Sequence, residues 1–170
     1  LRQMPKVKKV FIASGIRHDL VIKDQTYGLQ YLEEIIRHHI SGQLKVAPEH
    51  SEDHILALMG KPSIESFMEF FRCFEKINRR MGKKQFLTCY FIAAYPGCTP
   101  QDMERLNRFS RRVLKFKPRQ MQIFTPSPST PATLMYHTGK AYDSGKPLFV
   151  EKDKRNKEKQ KNLILKERSR

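Results

Sequence analysis

Short apolar runs that stop at proline or glycine alternate along this chain with longer segments whose apolar residues recur every three or four positions. This alternation restricts the fold more than any other feature of the sequence. A strand, a covering helix and a second strand in the same sheet require a right-handed crossover and parallel pairing. The runs are residues 10–13 before Ser14-Gly15, "LKVAPEH" closed at Pro48, "QFLTCYFIAA" stopped at Pro96-Gly97, and "RQMQIFTPSPST" broken at Pro126. The third is apolar on both expected faces, as strands are when helices cover a parallel sheet on both sides.

Between the strands, Leu32, Ile35, Ile36 and Ile40 fall at helical spacing. Ser51 is expected to cap a short helix carrying Ile55, Leu56 and Met59, ended by Gly60. Ser63 opens the clearest helix, with Ile64, Phe67, Met68, Phe71, Phe74, Ile77 and Met81 forming its core stripe and Gly82 its stop. Thr99, Pro100 and Asp102 spell a capping box with Asp in place of the usual Glu or Gln. Met103, Leu106, Phe109, Val113 and Leu114 follow as a buried stripe.

The order β-α-β-α-α-β-α-β defines an α/β protein with a parallel sheet. Four strands cannot close an eight-stranded barrel, so the sheet is either a small doubly wound layer or part of a larger barrel. From about Lys140 the periodicity dissolves. Residues 141–170 are therefore read as a basic tail, partly disordered or marginally helical, after a domain spanning 1–140.

Lys and Arg number 33 against 17 Asp and Glu, giving a formal charge of +16. Such an excess attracts polyanions, and a basic nucleic-acid-binding module without catalysis, with weak contact through the tail, is the alternative reading. The cations are spread over several helices, however, and no RNA-recognition aromatic signature or helix-turn-helix pattern accompanies them. No apolar run approaches the roughly 20 residues of a membrane span, and the start "LRQMPKVKKV", without an apolar core, is not expected to act as a leader. Cys73, Cys89 and Cys98 suit neither a secreted disulfide framework nor a zinc or iron–sulfur spacing. A reducing, cytoplasmic location without membrane contact is expected. The chain begins with Leu, which suggests a fragment of something longer.

In a parallel sheet the loops after the strands gather on one face, where α/β proteins bind ligands. Here those loops read "SGIRHDL", "APEHSED", "YPGCTPQD" and "TPSPSTPA", and they bring Arg17, His18, Asp19, Glu49, His50 and Cys98 to that face. Each also has a structural reading: Arg17 can pair with Asp19, and Glu49 and His50 can be solvated loop residues. No Ser/His/Asp triad, phosphate loop or metal-ligand run is visible, so no catalytic residue and no metal ligand is assigned.

The ordered set "FIASGIRHDL", "LKVAPEHSED", "YFIAAYPGCTPQDM", "MQIFTPSPST" and "MYHTGK" resembles the C-terminal half of the radical SAM barrel in the YgiQ family, over about residues 6–165. The resemblance implies a partial TIM-type parallel (β/α) barrel, with the four strands here as its third to sixth. It implies a full-length enzyme with a [4Fe–4S] cluster held by CxxxCxxC upstream, which splits S-adenosylmethionine to a 5′-deoxyadenosyl radical. That cluster loop is absent here, and the three cysteines, 16 and 9 residues apart, cannot replace it.

By the same resemblance this segment supplies the ribose and adenine side of the cofactor pocket and part of the substrate side. Glu49 and His50 would lie near the ribose or substrate, and the backbone of Ala94, Tyr95, Pro96 and Gly97 along the adenine. Gly97 would allow close approach by lacking Cβ. Phe124 and Thr125 would flank the base, and Arg17 would bind a carboxylate. The partners implied are the preceding half of the same protein and an unidentified substrate.

Overall fold

A computed structural model describes residues 2–114, 118 and 120–165. Arg119, at the head of the expected fourth strand, and residues 166–170 of the expected tail lie outside the described residues. Four strands, β1 (Gly15–Ile16), β2 (Gln43–Glu49), β3 (Phe86–Ala93) and β4 (Gln120–Ile123), make one sheet in the order β1-β2-β3-β4. Pairing is parallel, with Gly15 opposite Lys45 and Tyr90 opposite Gln120. The helices are α1 (His18–Lys23), α2 (Gly28–His38), α3 (Asp53–Leu58), α4 (Ile64–Arg80), α5 (Pro100–Phe109), α6 (Pro131–Thr138) and α7 (Lys154–Leu165). The architecture is the expected α/β parallel sheet with covering helices, consistent with part of a (β/α) barrel. No helix of the described residues is long and apolar enough to cross a membrane.

The contacts divide the chain into two compact units, the first made of residues 1–47 with 65–89, the second of 48–64 with 90–170. In the first unit, Leu32, Ile35 and Ile36 of α2 are buried, as are Leu44 and Val46 of β2 and Phe67, Phe70, Phe74 and Ile77 of α4. The stripe of α4 is thus rotated from the expected one. Phe70 is fully buried, whereas Met68, Phe71 and Cys73 are only half-buried, because the helix presents the 67-70-74-77 row to the core. Phe70 and Phe74 stack with centroids 6.5 Å apart.

The first strand also differs from expectation. Residues 10–13 form no ladder: the Ile12 N–H donates to the His39 carbonyl at 2.9 Å, and His39 Nδ1 lies 2.7 Å from the Val10 carbonyl oxygen. The apolar run is held by the end of α2, and pairing begins only at Gly15. "SGIRHDL", read as a loop, contains the start of α1. Gly28 lets α2 close on α1, since a Cβ there would fall on the Val21 carbonyl oxygen.

On β3 one face is buried throughout (Leu87, Cys89, Phe91, Ala93), while Thr88, Tyr90 and Ile92 are half-buried and Phe86 is exposed. The sequence had suggested two buried faces. Ser51 does not cap α3: Glu52 occupies that position without a side-chain cap, and the Ser51 hydroxyl donates to Glu52 Oε1 at 3.1 Å.

In the second unit, the capping box of α5 forms as the sequence predicts. The Asp102 N–H donates to Thr99 Oγ1 at 3.3 Å, and the Thr99 N–H to Asp102 Oδ2 at 2.8 Å. Met103, Leu106 and Leu114 are buried, but Val113 is exposed and Phe109 only half-buried. A π-helical turn over Ser110–Leu114 breaks the 3.6-residue period and turns Val113 outward. Helix α7 packs on α5 with Ile164 fully buried, and Asn107 Nδ2 donates to the Leu163 carbonyl at 2.8 Å.

Candidate functional site

The carboxyl ends of β2, β3 and β4 all belong to the second unit, and there the backbone leaves its ordinary regions. Glu49 closes β2 with φ 69°, and Ala94 follows β3 with φ 56°. Neither is glycine, so each holds a left-handed conformation that costs on the order of 1 kcal/mol or more and needs surrounding contacts to keep it. Two such residues at successive strand ends mark the loops that follow as shaped rather than incidental.

Glu49 is half-buried, and burial raises its pKa above the ordinary carboxylate range. Lys61, with Nζ 3.5 Å from Oε1, opposes that rise and favours the charged form. His50 has both ring nitrogens turned inward. Its Nδ1 accepts from the Glu52 N–H at 3.1 Å, and its Nε2 lies 3.5 Å from Cys98 Sγ. Burial drives His50 down to about 4 against the pull of Asp102, so the ring is neutral at pH 7. Cys98 is pushed up to about 12 by burial and then by Asp102, which leaves it a packed thiol rather than a nucleophile.

Ala94, Tyr95 and Pro96 are buried. The Tyr95 hydroxyl donates to the Leu58 carbonyl at 3.2 Å, and its ring meets Phe124 edge-on at 5.2 Å. Gly97 has φ 92°, and a Cβ on it would lie 2.5 Å from Leu58 Cδ1. Its N–H donates to the Phe149 carbonyl at 2.7 Å. The missing Cβ at Gly97 leaves room for Leu58 of this chain. Phe124 is half-buried and Thr125 exposed. Arg17 belongs to the first unit, where Nε and Nη2 hold Asp19 bidentately at 2.9 and 2.7 Å. That contact draws Asp19 down to about 2, and it is the pairing left open by the sequence.

Two clusters carried no sequence signal. Arg105 Nε donates to Glu52 Oε2 at 2.6 Å while Nη2 bonds Asp102 Oδ1, and His54 Nε2 lies 3.2 Å from the same oxygen. Burial penalises the charge on Asp102, but Thr99, His54 and Arg105 outweigh it and hold the carboxyl low. Donor atoms of Glu52, His54 and Asp102 fall within 4.8 Å of one another. The guanidinium already supplies the positive charge there, so this is an ion-pair network tying Glu52 and His54, at the start of α3, to the first turns of α5. In the other cluster, Lys157 Nζ bonds the Tyr136 hydroxyl at 3.0 Å and sits 4.5 Å from its ring centre, with Phe124 on the same ring at 5.7 Å. The Arg105–Glu52 and Lys157–Tyr136 partners, 53 and 21 residues apart, leave no local pattern to read.

Shaped, partly polar loops at the carboxyl ends of parallel strands define the ligand-facing end of an α/β sheet protein. Relatives give the particular kind. The chain is 53% identical over 168 residues to a UPF0313 protein of Fusobacterium nucleatum, covering 99% of this chain and 30% of that protein. It is 45% identical over 152 residues to a UPF0313 protein of Methanocella arvoryzae (89% and 24%), and 44% identical over 162 residues to one of Porphyromonas gingivalis (92% and 25%). The chain is thus homologous, over nearly its whole length, to a segment of the UPF0313 proteins, and it spans less than a third of these relatives. No family model matches it.

Proposed function

We propose that this chain is the C-terminal half-barrel of a cytoplasmic radical S-adenosylmethionine enzyme, supplying the ribose and adenine side of the cofactor pocket. What carries the reading is the left-handed backbone of Glu49 and Ala94, on the loops that hold two of the resembling motifs. Its immediate partner is the preceding half of the same protein, and the substrate is unassigned.

The residues present do not fit an iron–sulfur cluster. Cys89 and Cys98 are buried with protonated thiols, and Cys98 belongs to the second unit whereas Cys73 and Cys89 belong to the first. No step through a cluster is assigned to this chain. The fit to S-adenosylmethionine is partial. Glu49, with Lys61 Nζ 3.5 Å from its carboxylate opposing the rise that burial causes, would accept from ribose hydroxyls, and Phe124 offers a half-buried ring for the base. His50 is better suited to shaping the loop than to touching a ligand. At Gly97 the backbone N–H is already taken by the Phe149 carbonyl, and the movable end of Leu58 lies beside the α-carbon. When bound in the whole enzyme, the cofactor supplies the radical; this chain's part is to bind and orient it.

The test is the coding sequence upstream of Leu1, followed by anaerobic reconstitution of the longer protein. A CxxxCxxC motif and an iron–sulfur absorption band in the longer protein, but not in this chain, are expected. Absence of the motif within about one half-barrel's length refutes the reading.

A further inference from the structure

A different face, within the first unit alone, carries an inference independent of the cofactor reading. The turn after α4 is bolted to the end of α2: Gln85 Nε2 donates to the Ile36 and Ile40 carbonyls at 2.9 and 3.3 Å, and Asn78 Nδ2 to the Gln85 carbonyl at 2.6 Å. The Phe86 N–H bonds the Gly42 carbonyl at 3.0 Å. These bonds bring the last turns of α2 and α4 and the start of β3 to one edge. Exposed there are Arg37, Arg79, Lys83 and Lys84. Among the described residues none of the four lies within ion-pair distance of a carboxylate; the nearby Glu33 is taken by Arg80. Phe86 stands among them with 58% of its surface exposed.

Helix dipoles account for a cation in the last turn of each helix. They do not account for Lys83 and Lys84 beyond the end of α4, nor for a bare phenyl ring at the first position of a strand. Unpaired cations around one exposed aromatic match the chemistry of a single-stranded nucleic acid, with phosphates on the cations and a base stacked on the ring. A protein partner of ordinary size needs an apolar centre. The nearest β-surface neighbours, Thr88 and Gln43, are instead polar and bonded to each other at 2.9 Å.

We propose that this edge, built on Arg37, Arg79, Lys83, Lys84 and Phe86, binds single-stranded nucleic acid. The test is fluorescence polarisation of the whole chain with a labelled single-stranded RNA of about 16 nucleotides, titrated between about 50 and 200 mM salt. The triple variant Arg79→Gln, Lys83→Gln, Lys84→Gln should lower the slope of log affinity against log salt by about 2, at about 0.7 per lost phosphate contact. Phe86→Ala should weaken binding about tenfold with the slope unchanged. A matched triple on α7, Lys154→Gln, Arg155→Gln, Lys159→Gln, should change the slope by less than about 1. Equal slopes for the two triples would show attraction by net charge alone and overturn the proposal. So would undiminished binding by Phe86→Ala, or polyglutamate bound as tightly as RNA. If a variant misfolds, ultraviolet crosslinking of the unaltered chain must map RNA to the Phe86 peptide; crosslinks confined to other peptides overturn it.

Discussion

Mild acid should destabilise this protein chiefly through one side chain, His50. Its ring is fully buried, and its pKa falls from an ordinary 6.5 to about 4, chiefly by burial. Between those values the unfolded chain binds a proton that the folded chain refuses, so stability rises with pH. The contribution is whole above about pH 6.5 and is lost progressively as pH falls to about 4. At 1.36 kcal/mol per pH unit the full loss is about 3 kcal/mol, a large share of a typical domain's stability. The groups facing the ring are Cys98, Asp102, His54 and Arg105, and the pull of Asp102 already lies within the value of about 4.

Urea unfolding followed by circular dichroism at pH 7, 6, 5 and 4.5 measures the loss directly. His50→Asn keeps an acceptor for the Glu52 N–H but cannot titrate. It should be less stable at pH 7, for lost packing, yet show a shallower pH dependence down to pH 4.5. Asp19 and Asp102, held low, act only below about pH 4. Glu49, raised by burial, opposes the His50 effect within the window and His38, lowered, adds to it; both remain in His50→Asn, so the difference between the two proteins isolates His50. A stability unchanged between pH 7 and 5, or a slope retained in His50→Asn, would refute the reasoning.

Gly28→Ala should cost about 3 kcal/mol or prevent folding, since backbone on α1 blocks the new methyl group; an unaltered melting temperature would contradict the close approach. Gly97→Ala should cost about 1–2 kcal/mol from its φ of 92°. Adding Leu58→Ala should recover none of that, because Leu58 Cδ1 is the movable end of a side chain and strain, not the clash, dominates. Full recovery in the double variant would reverse that order. Thr99→Ala removes the reciprocal cap of α5 and should cost about 1 kcal/mol in urea unfolding, with a change under about 0.3 kcal/mol counting against the cap.

What could be read from the sequence was local. Thr99, Pro100 and Asp102 specify their cap within four residues, and the parallel sheet follows from alternation that needs no knowledge of partners. The errors arose where a distant group decided the outcome. Residues 10–13 have the composition of a strand, but the end of α2 claims their backbone through His39. Phe70 and Phe71 are equivalent on paper, and only the packing of α4 chooses between them. Val113 follows its period faithfully until a π turn resets the count. At the site, Gly97 shows the same limit: its lack of a Cβ is legible, but not that Leu58, 39 positions earlier in the chain, fills the space.

The bond from the Gly97 N–H to the Phe149 carbonyl has a bearing on how this polypeptide can be cut. It is the latch of a belt: main chain from beyond α6 returns to fasten the turn that ends β3. A chain shortened to residue 140 would leave that N–H without its acceptor and uncover the flank of α5 on which α7 packs. Truncation there removes a fastening as well as charge, and a shortened protein that failed in an RNA assay could do so through a loosened β3 turn.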